Sequence, residues 1–497
     1  MTAESVSAAS PPGPVADKRL GTTAARGALV TMGGQGGKIL LQFGGIIVLA
    51  RLLSPADYGL LAMVMAIVGV GEVLRDFGLS SAAVQARQLT AQQRSNLFWI
   101  NSLIGLLLAG VVYACAPLIA AFYREPLLQP IAQALALTFL FNGLATQYRA
   151  QLNREMRFGR LAGVEVIGQA VGLTTGVVLA LRGYGYWALV AQQVGQIGLT
   201  LLLLVAATGW RPGLPRRNAD MQGLLRFGWN LMNTQLITYF SRNVDALIIG
   251  HRFGAEVLGL YNRAYQLLML PLNQINAPAT TIALPVLSRL NQDEARYGRF
   301  LLHGQSVLLH LIVAAFAFGC AQAEPLIVLV LGQQWAPAVP VFQILAFAGV
   351  FQTAAYASYW VFVSKGLTGS HFRFTLSSRL VLIALVVTGS MWGVHGVATA
   401  FACGMALSWM WGLLWLRGSG APVKGMFGNG LRVIVAYGLC GVASALASWQ
   451  WGEGLPMRLA IGVAAMLLAF LLINALWPAF RRNVLAILQS RALLRSA

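Results

Sequence analysis

Charged residues interrupt the apolar stretches of this sequence at eight positions, where charge is costly. They are Lys38, Glu72, Arg75, Asp76, Glu165, Arg242, Asp245 and Arg263. An Asp, Lys or Arg at the centre of a membrane span costs about 2.5–3.5 kcal/mol on insertion scales. Such residues are retained where they pair, line a water-filled cavity or contact a polar cargo, so the pattern is a first indication of a transport pathway.

A purely structural interpretation of these charges is also open. Glu72 and Arg75 stand three positions apart, as do Arg242 and Asp245, so each pair can share a helical face and neutralise itself. Such pairs would stabilise the spans without contacting any cargo.

The depths of the four cations favour a pathway over a single deep site. At a rise of about 1.5 Å per residue, Lys38 falls near mid-membrane, Arg75 in the inner half, and Arg242 and Arg263 in the outer half. We therefore predict that these cations contact an anionic cargo at successive depths. Glu72, Asp76, Glu165 and Asp245 are the predicted polar or coupling groups beside them.

Composition is typical of a multi-pass membrane protein. Hydrophobic residues make up 57% of the 497 residues and charged residues only 10%, against about 25% charged in soluble domains. The net charge of +20 does not indicate nucleic-acid binding, because cytoplasmic loops of membrane proteins collect Lys and Arg. The four cysteines form no CxxC or Cys/His cluster, so we predict no metal site, disulfide or cofactor.

Hydropathy predicts an all-α fold of about fourteen transmembrane helices, since spans need about 20 apolar residues. They cover roughly residues 27–50, 58–83, 97–121, 127–148, 158–181, 185–207, 226–250, 257–288, 300–322, 338–363, 374–392, 395–416, 431–449 and 457–477. Pro271 and Pro278 break the eighth span and are candidate hinges. The stretch from Pro325 to Pro340 fits either an early start of the tenth helix or a re-entrant turn.

Basic residues orient the predicted spans. Only five of the 35 Lys and Arg residues fall in loops on one side, namely Arg51, Arg124, Arg182, Arg252 and Arg458. Because Lys and Arg concentrate in cytoplasmic loops, both termini are predicted to be cytoplasmic. Residues 1–26 have no apolar core and predict a disordered cytoplasmic tail rather than a cleaved signal peptide.

An internal repeat at an offset of 200 residues predicts two lobes of like orientation. Met32, Gln35, Gly59 and Leu60 recur as Met232, Gln235, Gly259 and Leu260. Parallel repeats are a known plan of transporters. The predicted organisation is an N-lobe of helices 1–6 (27–208), a cytoplasmic connector (209–225), a C-lobe of helices 7–12 (226–417), and helices 13–14 with a cytoplasmic tail (418–497).

Four stretches resemble one family. LSPADYGLL (53–61), RDFGLSSAAVQ (75–85), RGYGYWALV (182–190) and FGAEVLGLYNRA (253–264) are similar to the polysaccharide-transporter branch of the MOP (multidrug/oligosaccharidyl-lipid/polysaccharide) superfamily. The most similar subgroup comprises Wzx-type flippases that export exopolysaccharide repeat units of the colanic acid or xanthan type. The resemblance covers roughly residues 25–417.

The resemblance implies two six-helix lobes arranged as a V around a central cavity lined by helices 1, 2, 7 and 8. It also implies a bacterial inner-membrane location and a cargo of undecaprenyl-diphosphate-linked oligosaccharide repeat units, used in exopolysaccharide or lipopolysaccharide biosynthesis. Polymerase and chain-length or export machinery are the protein partners it suggests. All the predicted charges except Glu165 fall on the four cavity helices, which favours a functional role for them.

We therefore expect a flippase that works by alternating access, and not an enzyme. Two alternatives remain. One is a drug or lipid II exporter of the same fold. The other is a membrane glycosyltransferase or polymerase, which the short outer loops disfavour because such enzymes need positioned catalytic acids.

Overall fold

The computed structural model describes the backbone of residues 33, 36–76, 90–216 and 222–495. The side chains of Asp76, of residues 222–238, 240–242 and 490–495 lie outside this description, as does the predicted tail over residues 1–26. Two compact units are present. Unit 1 holds the described residues of Met1–Leu52, Ile67–Ala121 and Pro126–Tyr239, and unit 2 those of Leu53–Ala66, Phe122–Glu125 and Phe240–Ala497.

The described residues form helices and contain no strand. The first helix, α1, covers 36–52. The α-helices that follow are α2 (Pro55–Asp76), α3 (Ala91–Tyr123), α4 (Leu128–Arg154), α5 (Phe158–Leu181), α6 (Tyr186–Thr208), α7 (Gln222–Arg289), α8 (Glu294–Ala321), α9 (Ala323–Leu331), α10 (Ala338–Ser364), α11 (Thr368–Gly389), α12 (Gly393–Trp415), α13 (Val423–Trp451), α14 (Leu455–Leu476) and α15 (Pro478–Arg495).

The prediction of an all-α polytopic membrane protein is confirmed. Among the described residues, ten helical stretches are long and apolar enough to cross a membrane. Each of the fourteen predicted spans overlaps a helix, the seventh and eighth lying on the two sides of Gly254 in α7, where the backbone leaves helical geometry at φ 84°. The ambiguous stretch near Pro325 forms the short helix α9, a 3-10 turn at Gln333–Trp335, and then α10.

A cluster of polar contacts fixes the start of α2. The Ser54 hydroxyl donates to the Asp57 carboxylate at 2.6 Å and accepts from the Asp57 backbone N–H at 3.2 Å, while the Ser54 N–H donates to that carboxylate at 2.9 Å. Pro55, whose missing N–H is harmless at the first helical position, starts the helix. This reciprocal capping satisfies backbone and side-chain polar groups at the start of α2, so the apolar helix can begin directly after the turn.

Two glycines of the internal repeat face each other inside unit 2. A Cβ added to Gly59 would collide with the backbone carbonyl of Ala255, and a Cβ added to Gly259 would collide with the carbonyl of Pro55. The two contacts correspond to each other through the 200-residue offset. We call this contact the Gly59–Gly259 crossing, and only glycine permits backbones to approach so closely there.

Two buried amide clusters join α13, the first helix of the appended pair α13–α14, to the rest of unit 2. The Gln322 amide donates to the Ser444 carbonyl at 3.2 Å, the Ser444 hydroxyl at 3.0 Å and the Ser448 hydroxyl at 3.1 Å. The Gln305 amide donates to the Met426 carbonyl at 3.2 Å and accepts from Asn429 at 3.4 Å. Both glutamines are at most 1% exposed.

Candidate functional site

Three charged side chains from distant parts of the chain meet inside unit 1. Lys38 on α1 forms an ion pair with Glu165 on α5, with 2.7 Å between Nζ and Oε2. Arg149 on α4 places its Nε 3.6 Å from the other oxygen of Glu165. The Gln169 amide donates to the Lys38 carbonyl at 3.2 Å. Two cations therefore share one carboxylate.

A cavity of about 130 Å³ opens beside these charges. Its polar lining comes from α1, α4, α5 and α6, namely Lys38, Asn142, Arg149, Glu165, Gln196 and Thr200. Lys38 and Arg149 outnumber Glu165, so this lining carries a net positive charge. Ammonium, guanidinium and amide groups donate hydrogen bonds, so the cavity is suited to an anionic or hydroxyl-rich ligand.

A second polar network joins α2 to α4 in the same unit. Arg75 donates from Nε to Glu72 at 2.8 Å and from a terminal nitrogen to the Thr146 hydroxyl at 3.0 Å. The Asn142 amide donates to Glu72 at 3.2 Å. Asn142 also lines the cavity. The Glu72–Arg75 pair and the Lys38–Glu165 pair therefore both lie beside the face of α4 that carries Asn142.

Close packing of α5 on α6 positions Glu165. A Cβ on Gly168 would collide with the Thr200 hydroxyl, and one on Gly172 would lie 2.7 Å from the Cβ of Gln196. Small residues at this spacing let the helix backbones approach. Glu165, three positions before Gly168, is thereby held beside the two cavity-lining residues of α6.

The carboxylate of Asp245 is buried in unit 2. It is 5% exposed and accepts hydrogen bonds from the Tyr261 hydroxyl at 2.7 Å and from the Ala246 N–H at 2.9 Å. The proposed pair of Asp245 with Arg242 stays a prediction, since the Arg242 side chain lies outside the described residues. The same holds for the role predicted for Asp76.

The guanidinium of Arg263 is enclosed by aromatic rings of unit 2. Its Cζ lies 4.0 Å from the centroid of the Tyr58 ring and 5.4 Å from that of Trp335, and a terminal nitrogen donates to Gln266 at 2.7 Å. Arg263 is only 5% exposed. Cation–π contacts of this desolvated kind are worth about 2 kcal/mol. Its predicted cargo contact therefore requires that the rings first move apart.

The candidate hinges lie within the helical run of α7, which contains Pro271, Pro278 and Pro285. The non-helical backbone of α7 is instead at Gly254. A hinge role for Pro271 and Pro278 remains a prediction.

Sequence reasoning missed four residues that line the site. Three of them are uncharged and do not stand out in a hydropathy profile, namely Asn142, Gln196 and Thr200. Amide side chains inside apolar helices are nevertheless unusual. Hydropathy ends the fourth span near residue 148 and so places Arg149 in an inner loop, whereas α4 continues to Arg154.

Comparison with known proteins adds three kinds of similarity. A family model described as "Polysaccharide biosynthesis protein" matches residues 48–340. The teichuronic acid biosynthesis protein TuaB of Bacillus subtilis is 27% identical over 80% of this chain and 84% of its own length. The lipopolysaccharide biosynthesis protein WzxC of Escherichia coli is 26% identical over 71% and 73%. The succinoglycan biosynthesis transport protein ExoT of Rhizobium meliloti is 24% identical over 80% and 81%.

Solved structures show the same fold. A lipid II flippase, MurJ, in an inward closed conformation superposes with a TM-score of 0.71 at 14% identity, covering 92% of this chain and all of that one. An inward-facing multidrug resistance transporter of the MATE family and MOP superfamily gives 0.62 at 13% identity, covering 78% and 95%. At such low identity, the likeness establishes the fold and not the cargo.

Proposed function

Because the chain belongs to the polysaccharide biosynthesis protein family, we propose that it is a flippase for lipid-linked oligosaccharide repeat units and not an enzyme. The cargo would be the undecaprenyl-diphosphate-linked unit of an exopolysaccharide or lipopolysaccharide, moved across the bacterial inner membrane by alternating access. Relatives named for teichuronic acid, lipopolysaccharide and succinoglycan biosynthesis support a polysaccharide precursor as cargo. Polymerase and export machinery are proposed partners.

The observation that carries this proposal is the net-cationic cavity around Lys38, Arg149 and Glu165. A diphosphate brings negative charge and acceptor oxygens, which match the surplus cation and the amide donors of Asn142 and Gln196. A sugar head group supplies hydroxyls that can exchange hydrogen bonds with the same amides. The polyprenyl tail needs no polar site, because it stays in the lipid.

The direct test is a chromosomal deletion followed by analysis of lipid-linked intermediates. We expect undecaprenyl-diphosphate-linked repeat units to accumulate on the inner leaflet and polymer export to stop. Accumulation of lipid II instead would favour the alternative of a lipid II exporter with this fold. No accumulation of any lipid-linked sugar would contradict the proposal.

Complementation of that deletion tests Arg75. We expect Arg75→Ala to lower export by about tenfold, which corresponds to about 1.4 kcal/mol, and Arg75→Lys to lower it less. The lysine keeps the positive charge beside Glu72 but loses the bond to Thr146. Arg182→Ala, an exposed change between α5 and α6, is the control, with protein amounts matched. Equal export by Arg75→Ala and wild type would show that Arg75 is not part of the functional site.

We further propose that both termini are cytoplasmic, because the Lys and Arg residues concentrate on the corresponding loops. Reporter tags inserted after Arg217 and after Arg482 should be accessible from the cytoplasm, and a tag beside Arg252 from the periplasm. An Arg252 tag shielded from the periplasmic side would contradict this orientation.

A further inference from the structure

A second polar cavity lies in unit 1, where α3 begins and α4 ends. It has a volume of about 80 Å³ and is lined by Arg94, Gln147, Ala150, Gln151, Arg154 and Glu155. We call it the α3–α4 pocket. Gln147, Ala150 and Arg154 follow one another at helical spacing on α4, on the face opposite Ala145 and Arg149. The pocket is therefore distinct from the Lys38 cavity, although both use α4.

Three buried polar atoms of the α3–α4 pocket have no hydrogen-bond partner among the described residues. Gln147 is 1% exposed, and its amide nitrogen has no hydrogen-bond partner among the described residues. The same is true of Arg94 Nε, a second donor, and of Gln151 Oε1, an acceptor that would be satisfied by a water or hydroxyl and not by an anion. A buried polar group left unpaired is destabilising, so such groups normally have a protein, water or ligand partner. Two unpaired donors on residues that line one cavity favour an occupant that accepts hydrogen bonds.

The electrostatics of the α3–α4 pocket favour an anion. Glu155, its only acid, is already held by Arg157 at 3.0 Å and by the Gln151 amide at 2.7 Å. Arg94 and Arg154 contribute two guanidinium groups. Guanidinium and amide N–H groups are the donors that recognise phosphate oxygens.

Arg94, which lines the α3–α4 pocket, is held in place by its neighbours. Arg94 stacks on Trp210, with 4.5 Å from Cζ to the ring centroid. The segment after Trp210 is fastened to α3, since Asn96 donates to the Arg216 carbonyl at 2.7 Å and accepts from the Arg216 N–H at 3.0 Å. Trp99 donates to the Gly213 carbonyl at 2.9 Å. A preformed site loses less entropy on binding.

We propose that the α3–α4 pocket binds a phosphate or diphosphate group. The ligand class is a phosphate ester, and two sources share that chemistry: the diphosphate of a lipid-linked cargo and the head group of an anionic phospholipid. The first source rests on the proposed function. In that case the pocket is a loading site at the end of unit 1, separate from the cavity around Lys38.

The experiment measures binding of inorganic pyrophosphate to the purified full-length protein in phosphatidylethanolamine nanodiscs by calorimetry. We expect wild type to bind, and Gln147→Glu to weaken binding by at least about tenfold because a carboxylate repels the anion. Gln147→Leu, which removes the donor without adding charge, should also lose binding. Gln133→Glu, on the same helix outside the pocket, is the matched control and should bind normally.

Competition identifies the source. Displacement of pyrophosphate by undecaprenyl diphosphate but not by undecaprenol supports the cargo, and displacement by phosphatidylglycerol supports a head group. Absence of pyrophosphate binding to wild type, or equal binding by Gln147→Glu and Gln133→Glu, overturns the site. These outcomes are separate from the deletion test, because repeat units can accumulate on deletion whether or not this pocket binds phosphate.

Discussion

Replacing Gly59 by alanine is expected to abolish polymer export and to lower the yield of folded protein. The new Cβ would collide with the carbonyl of Ala255, and neither atom belongs to a flexible side-chain end. The helices would have to move apart and would lose the contact of Tyr58 with Arg263 one position away. Overpacking of this kind costs about 1–3 kcal/mol, and more where backbone must shift.

The corresponding change Gly259→Ala should have the same effect, because its Cβ meets the Pro55 carbonyl in the equivalent way. Gly44→Ala is the control, since nothing lies within 4 Å of the added Cβ. Export and detergent-extracted yield are measured for all three variants. Wild-type export by Gly59→Ala would mean that the Gly59–Gly259 crossing is not needed in any state of the transport cycle.

The second large effect concerns the ion pair of Lys38 and Glu165. We expect Lys38→Met to lower export by about tenfold or more while the protein still folds, because Arg149 remains close to the Glu165 carboxylate. If Lys38 only neutralises Glu165, the double variant Lys38→Met, Glu165→Gln should regain export, since removing both partners costs less than stranding one. If Lys38 contacts the diphosphate, the double variant stays inactive.

We expect the double variant to stay inactive. Lys424→Met, which removes an exposed lysine at the start of α13, is the matched control for loss of one positive charge. Export is compared at equal protein levels in the deletion strain. Recovery of export in the double variant would mean that Lys38 and Glu165 form a purely structural pair and that the cargo contacts other residues of the cavity.

Hydropathy was sufficient to predict the helical spans, because spans are set by the cost of burying polar groups in lipid. The MOP-like arrangement of those helices was implied by the family resemblance. Ion pairs could be predicted only between residues that are close in the sequence. Glu72 and Arg75 lie three residues apart and do form their ion pair. Lys38 and Glu165 are separated by 127 residues, so nothing in the spacing could associate them.

A second limit is that hydropathy locates the ends of the helices imprecisely. Arg149 and Arg154 continue a helix beyond its apolar part, where long cationic side chains can reach polar surroundings. Hydropathy therefore placed them in a loop and concealed both cavities on α4. For Arg263 the charged residue itself could be identified from the sequence. Its surroundings could not, because the two rings that enclose it come from separate helical segments. The lobes predicted from the repeat remain a prediction.

The amides that hold the appended pair have a consequence for shortened forms of the protein. A chain that stopped at Arg417 would remove the hydrogen-bond partners of Gln305 and Gln322 on α13, and a buried polar group left unpaired costs about 1–3 kcal/mol. We therefore expect that removing α13 and α14 would destabilise the rest of unit 2. Fusion partners and affinity tags should follow α15, whose Phe480 is fully buried, and a form without the pair would need apolar residues in place of both glutamines.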